Sequence, residues 1–439
     1  MRTGIFAHTP NAYAMTAAWF TALFVAALLT MIAVQSWLGA RQIASVQRHR
    51  DRVPDAFAAR IPLAAHQKAA DYTVARQRFA RVDRAVDLVV TVGWTLLGGL
   101  ALAATVTSTL PAPWNDVVLT AVVAIVGGIV GLPLSWWRTF VLEARFGFNR
   151  TTLAVWLADM AKGILVGIVL GLPLLLAVLW LVAHGGSLWW LWVWALWIGF
   201  QVLILLLYPT VIAPLFNKFS PLPAGDARAR IEALLARCGF AARGLFVMDG
   251  SKRSSHGNAY FVGFGRARRI VFFDTLLTTL APPEVESVLA HELGHYALKH
   301  IVKTLVWSAV VSLAMLALLA WLSRQPWFYT GLGITDPAQM ARPGVMLNLF
   351  FIALPPFAFL LSPVTAMYSR RHEFEADAFA AQNASADALV SALVKMYEDN
   401  ASTLTPDPLH SAFYDSHPPA AIRIGRLASL TQPYASGTT

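Results

Sequence analysis

Seven apolar runs, each close to the roughly 20 residues a helix needs to cross a bilayer, divide this 439-residue chain at about 16–38, 88–106, 117–137, 155–183, 188–208, 305–322 and 345–367. Composition agrees: 57% of the residues are hydrophobic and 13% are charged, whereas a soluble domain carries about a quarter charged. The first run is too long for a signal-peptide core and six more follow, so it reads as a retained helix. The expected fold class is mostly α, a polytopic membrane protein with seven transmembrane helices and a small cytoplasmic α+β portion.

The net charge of +10 raises the possibility of a nucleic-acid partner until the basic residues are placed. Ten Lys and Arg lie between the first and second runs, three between the third and fourth, twelve between the fifth and sixth, and five after the seventh. That bias puts those connections and the C-terminus in the cytoplasm and the N-terminus outside. The charge reports topology, the partner is the lipid bilayer, and no nucleic acid is implied. Trp189, Trp190, Trp192, Trp194 and Trp197 open the fifth run as an interfacial anchor. Asp159 and Lys162 stand i, i+3 in the fourth; they either pair with each other or face a polar cavity in the bundle.

Four portions follow. Residues 1–209 form a membrane bundle of five helices with a basic cytoplasmic loop at 39–84. Residues 210–303 form a cytoplasmic insert, 304–368 the last two membrane helices, and 369–439 a cytoplasmic C-terminal segment. Within the insert, 227–238 has helical spacing with Ile231, Leu234 and Leu235 on one face. Three β-rich runs follow at 244–248, 258–264 and 269–274, the last two joined by a turn at 263–268. Pro282 and Pro283 then open a helix expected to run through His300 into the sixth span.

That helix contains His291-Glu292-Leu293-Gly294-His295. Residues i and i+4 share a helical face, so both imidazoles can take adjacent corners of a zinc tetrahedron while Glu292 reaches the water such a zinc holds. The single cysteine, Cys238, excludes a multi-cysteine site, so the remaining ligand must be His or a carboxylate. His300 is five residues past His295, about 140° round the helix, and is expected to point away. His256 precedes a strand and His410 lies in a Pro-rich segment. The strongest candidate follows the seventh span on the same side: Glu373 and Asp377, i and i+4 on one face, with Glu375 pointing elsewhere. Glu373 is expected to bind zinc and Asp377 to orient one histidine, because a ligating imidazole gives its other N–H to a carboxylate or carbonyl.

These motifs resemble the integral-membrane zinc endopeptidases typified by the type I CAAX prenyl protease family, in which an HExxH helix is paired with a later ExxxD helix. The resemblance covers nearly the whole chain. It includes the stretches at 140–150, 212–219, 253–264 and 269–274, both metal motifs, and 416–423. It implies seven helices around a wide intramembrane chamber, an edge strand at Asn258 and Ala259 that aligns substrate by main-chain pairing, and two further active-site residues. His417 is then a donor to the oxyanion, and Arg423 a donor to the zinc-bound glutamate or to a substrate carboxylate. The implied activity is zinc-dependent peptide hydrolysis with Glu292 as general base, acting on a peptide or protein substrate that is prenylated or membrane-associated. Two alternatives stand beside it: a heat-shock-type quality-control protease with fewer spans, and a non-catalytic zinc-bearing scaffold or transporter.

Overall fold

Six of the seven apolar runs lie in helical stretches of 23 to 41 residues in the computed structural model, which describes residues 10–240, 244–262 and 269–431. The second run departs from expectation. Instead of one continuous span it comprises the end of the long helix Leu63–Trp94 and the short helix Gly99–Thr107, bent by 53°. Thr95 Oγ1 turns back to donate to Thr91 O at 2.6 Å, and Gly98 adopts the left-handed region at φ 75°. A Cβ on Gly99 would stand 2.5 Å from Gly93 O, so the bend requires glycine there.

The seventh run is longer and more broken than a simple span. Helix Pro343–Ala353 passes through a turn at Pro355–Ala358 and a 3-10 turn at Phe359–Leu361 into helix Ser362–Asn383. Pro355 and Pro356 lack the N–H groups that would continue the ladder. One apolar core, including Phe24, Leu100, Leu119, Leu319 and Phe350, packs the bundle. Beside it Arg342 donates to Asp116 Oδ1 at 2.9 Å and to the carbonyls of Ala104 and Asn115. Trp189 is buried and Trp194 donates to Ala309 O across to the sixth span, while Trp192 faces outward. The Trp-rich stretch therefore packs the bundle as well as lining its surface.

The insert holds four strands: β1 Phe219–Pro221, β2 Gly244–Met248, β3 Ala259–Val262 and β4 Arg269–Phe273. The sheet order is β1-β2-β4-β3, with β2 and β4 parallel and the other pairs antiparallel. The three expected strands are present and β1 is an addition. At three residues, the last of them Pro221, it is too short for alternation to reveal it. The turn expected at 263–268 lies outside the described residues. Helix Asp226–Arg237 packs against the helix Pro282–Ala297, and Ile231, Leu234, Ile270, Phe272, Leu289 and Leu293 form a second core that also takes in Ala380 and Leu393 from the C-terminal segment.

Asp159 and Lys162 form no ion pair with each other; each has another partner. Arg253, leaving β2, donates to both Asp159 oxygens at 2.7 and 2.9 Å, to Asn217 Oδ1 and to Phe216 O. Lys162 donates to Leu215 O at 2.8 Å. Arg150 N donates to Arg253 O in turn. The stretches at 140–150, 212–219 and 253–264 thus meet at one arginine, which fastens the insert to the end of the fourth span.

The helix carrying the histidines ends sooner than expected. It spans Pro282–Ala297, Lys299 takes a left-handed conformation at φ 58°, and a new helix begins at His300. Neither Gly nor Pro marks this break, so no local signal announced it.

Candidate metal centre

A local cap and two tertiary contacts hold the Pro282–Ala297 helix in place. Its first turn has prolines at the positions where an N–H would be unpaired, and Glu284 accepts from Ala281 N at 2.7 Å. The same carboxylate accepts from Ser391 Oγ and Lys395 Nζ on the helix Ala386–Asp399. Midway along, Gly294 lies against the Ser362–Asn383 helix so closely that a Cβ would stand 2.9 Å from Ala376 Cα. This contact sets how near the ligands of the two helices can approach.

His291 Nε2 and His295 Nε2 are 3.3 Å apart. Glu373 places Oε2 3.5 Å from the first and Oε1 3.3 Å from the second. Ligands about 2.1 Å from a tetrahedral ion stand about 3.4 Å from one another, so each of these atom pairs already has the spacing a metal needs. Glu373 Oε2 is buried with no hydrogen-bond partner among the described residues, a cost that a cation removes. His256 and His410 are elsewhere: His256 bonds Asn400 and stacks on Phe148, and His410 bonds Gln77.

The groups behind these ligands set their tautomers. His291 Nδ1 donates to Asp377 Oδ1 at 2.9 Å, leaving Nε2 free to ligate. Burial alone would push the His291 pKa down, but Asp377 and Glu373 outweigh it and raise it to about 9. Asp377 is itself gripped by Arg423, whose Nε and Nη2 donate at 2.9 and 2.6 Å, while Nη1 stands 3.8 Å from Glu373 Oε2. Arg423 is buried, and its fork is committed to Asp377.

His300 corrects the sequence reading. Because the helix breaks at Lys299, His300 turns back instead of lying 140° away, and its Nδ1 is 2.9 Å from His295 Nδ1. His300 Nε2 donates to Glu375 Oε2 at 3.0 Å, and Glu375 Oε1 accepts from Arg371. Each metal-facing histidine therefore has its own chain of partners, one through Asp377 and Arg423, the other through His300 and Glu375. Helix periodicity pointed to Asp377 in the first chain and missed the second, since it presupposed an unbroken helix; Arg423, which the resemblance implied as a donor to the glutamate or to a substrate carboxylate, instead spends its Nε and Nη2 on Asp377.

Glu292, His295, Glu373 and His417 line a cavity of about 750 Å³, and Tyr260 and Phe261 of β3 form part of its wall. Desolvation pushes the Glu292 carboxyl above its ordinary value, with His291 and His295 pulling it back; a raised carboxyl is suited to accepting a proton near neutral pH. His417 Nε2 is 3.4 Å from Glu373 Oε1. Asn258 and Ala259 lie at the start of β3, the edge strand; on the inner side Phe273 N donates to Asn258 O, and Asn258 Oδ1 accepts from Ala259 N.

A membrane bundle that sets an HExxH helix against an ExxxD helix at metal-binding distance defines an integral-membrane metallopeptidase. Comparison with known proteins is specific. The profile of the CAAX prenyl protease N-terminal portion, five membrane helices, matches residues 42–218, and that of peptidase family M48 matches 221–431. This chain belongs to peptidase family M48. It is 40% identical to CAAX prenyl protease 1 homolog of Oryza sativa subsp. japonica over 68% of this chain and 70% of that one. It is 36% identical to CAAX prenyl protease 1 of Saccharomyces cerevisiae over 69% and 70%. The crystal structure of S. mikatae Ste24p superposes with a TM-score of 0.85 at 29% identity, covering 93% of this chain and 98% of that one. The heat-shock-type alternative is not favoured, since the match includes the five-helix N-terminal portion.

Proposed function

We propose that this metallopeptidase works with zinc held by His291, His295 and Glu373, and cleaves C-terminal peptides of prenylated or membrane-associated proteins at the cytoplasmic face. The observation that supports zinc most directly is the donor set: two imidazole nitrogens and one carboxylate at tetrahedral spacing, with an open side toward the cavity. The printed names of the relatives support the substrate class, and the asymmetry of Lys and Arg supports the orientation.

Zinc held by His291, His295 and Glu373 would supply Lewis acidity toward water and the scissile carbonyl. The chain's own residues do the rest. Glu292 takes the proton of the attacking water and hands it to the leaving amine. His417 donates to the oxygen on which negative charge develops. Asp377, held by Arg423, keeps the His291 ring oriented. The β3 edge at Asn258 and Ala259 pairs with an extended peptide once Asn258 Oδ1 releases the Ala259 N–H.

The test uses purified full-length protein. Glu292→Gln is expected to keep one zinc per chain while peptide cleavage falls by about 100-fold or more; substantial residual cleavage sinks the role given to Glu292. Chelation should abolish cleavage by the wild type and zinc should restore it. Comparing a farnesylated peptide with its unmodified counterpart then tests the substrate class.

A further inference from the structure

Packing does little to hold His417. Its side chain is 63% exposed and stands where the catalytic cavity meets a second, polar cavity of about 660 Å³. Ser416 Oγ lies 3.0 Å from its Nδ1, but that serine is exposed as well. A donor to a developing oxyanion must stand about 3 Å from the oxygen that gains charge, so the ring of His417 has to be aimed through its backbone.

The backbone before His417 is tied to the metal helix by Arg370. This residue stands in the helix Ser362–Asn383, one turn ahead of Glu373. Its Nη1 reaches three carbonyls at the end of the helix Pro408–Tyr414: Ser411 O at 3.2 Å, Ala412 O at 3.4 Å and Asp415 O at 2.9 Å. The closest of them also has the greatest need of a donor. A turn on Asp415 O would be closed by the N–H of residue 418 or 419, and both are prolines. A cation is, besides, the charge that the C-terminal end of a helix favours. The neighbouring Arg371 pairs with Glu375, whereas Arg370 forms no ion pair among the described residues. On the other side of His417, Tyr397 OH stands 3.5 Å from Pro418 O.

We propose that Arg370 is a positioning residue: it fastens the Asp415–His417 backbone to the helix of Glu373, so that the His417 donor keeps a fixed place beside the metal ligands. This rests on the peptidase reading given above and on the oxyanion role given there to His417. Arg370 and Glu373 are separated by about 4.5 Å of rigid helix, and His417 Nε2 is 3.4 Å from Glu373 Oε1. The helix Pro408–Tyr414 has other anchors, Arg41 on Asp407 and Phe359 stacked on Phe413. Removing the Arg370 side chain therefore leaves that helix docked and loosens the stretch that follows it.

The experiment is a double-mutant cycle on kcat, with zinc-loaded full-length protein in detergent and the farnesylated peptide used above. Arg370→Gln is expected to lower kcat by about 10- to 100-fold, as a misplacement of about 1 Å does, with KM and zinc affinity within about twofold of the wild type. His417→Ala alone should lower kcat by about 100- to 1,000-fold. In that background Arg370→Gln should remove less than about twofold more, since no donor is left to aim. Arg370→Lys keeps a cationic donor beside the same carbonyls and should regain part of the lost kcat. An equal loss in both backgrounds overturns the inference, because it assigns Arg370 to the fold. An unchanged kcat in Arg370→Gln, or a loss matched by weaker zinc binding, overturns it too. If Arg370→Gln does not fold, the same cycle with Arg370→Lys decides, and failure of both to fold again assigns Arg370 to the fold and overturns the inference. Full activity of His417→Ala removes the oxyanion role and the inference with it, while the peptidase reading stands; absence of cleavage by the wild type sinks that reading itself.

Discussion

Adding one methyl group at Gly294 tests whether the contact between the two metal helices tunes the site. The Cβ of Gly294→Ala would stand 2.9 Å from Ala376 Cα, 3.1 Å from Ala376 O and 3.1 Å from Phe379 Cβ. Ordinary carbon contacts begin near about 3.5 Å, so the helices must part by about 0.6 Å. Zinc–ligand distances tolerate only about 0.2 Å. Two ligands lie on one helix and the third on the other, so the displacement falls on the metal geometry. Without metal the helices can relax apart; binding must pull them back against an overpacking strain of about 1–3 kcal/mol. That converts to zinc affinity about 5- to 150-fold weaker. The helix-propensity gain of Ala over Gly, up to about 1 kcal/mol, is present with and without metal and drops out of the comparison. The assay is zinc competition with a chromophoric chelator, on protein whose metal-free thermal midpoint matches the wild type. Affinity within twofold of the wild type in such a protein refutes the reasoning.

Three further perturbations are expected to behave as follows. His300→Ala removes the partner of His295 Nδ1 and should weaken zinc binding by about 10- to 100-fold; the same chelator competition decides, and unchanged affinity disproves the orienting role. Zinc must displace the proton that Asp377 and Glu373 hold on His291 up to pH about 9, so apparent affinity should rise about tenfold per pH unit through neutrality and level off near that value; a flat profile contradicts it. Glu284 is held below its ordinary value of 4.5: burial pushes it up, but Lys395, Ser391 and Ala281 N outweigh burial. Its stabilisation is therefore present above pH about 4.5 and is lost as pH falls through the lower folded value. Glu284→Gln should cost about 1–3 kcal/mol at neutral pH, with the gap in thermal midpoint closing in acid; a gap that persists in acid rules out the charge as its source.

The candidate metal residues and the carboxylate behind them were legible because each pair sits within one helix, where spacing alone places side chains on a common face. His291 with His295, and Glu373 with Asp377, needed nothing beyond a period of 3.6. His300 was not legible, because its position depends on a left-handed Lys299 that neither Gly nor Pro announces. Gly294 escaped for a related reason. A missing Cβ acquires meaning only from what stands opposite it, 82 residues later at Ala376.

By itself the sequence determined the membrane class, the number of apolar runs, and both metal motifs, because hydrophobic length and helical period are local properties that the solvent enforces. Tertiary structure alone decided that the second run bends at Gly98, that the histidine helix stops at Ala297, and that Arg253 fastens the insert to Asp159. It also decided the distance between His291 and Glu373, which belong to helices separated by an entire transmembrane hairpin. That distance comes from packing Gly294 on Ala376, and close packing between remote segments is set by shape across the whole interface, which no local pattern encodes.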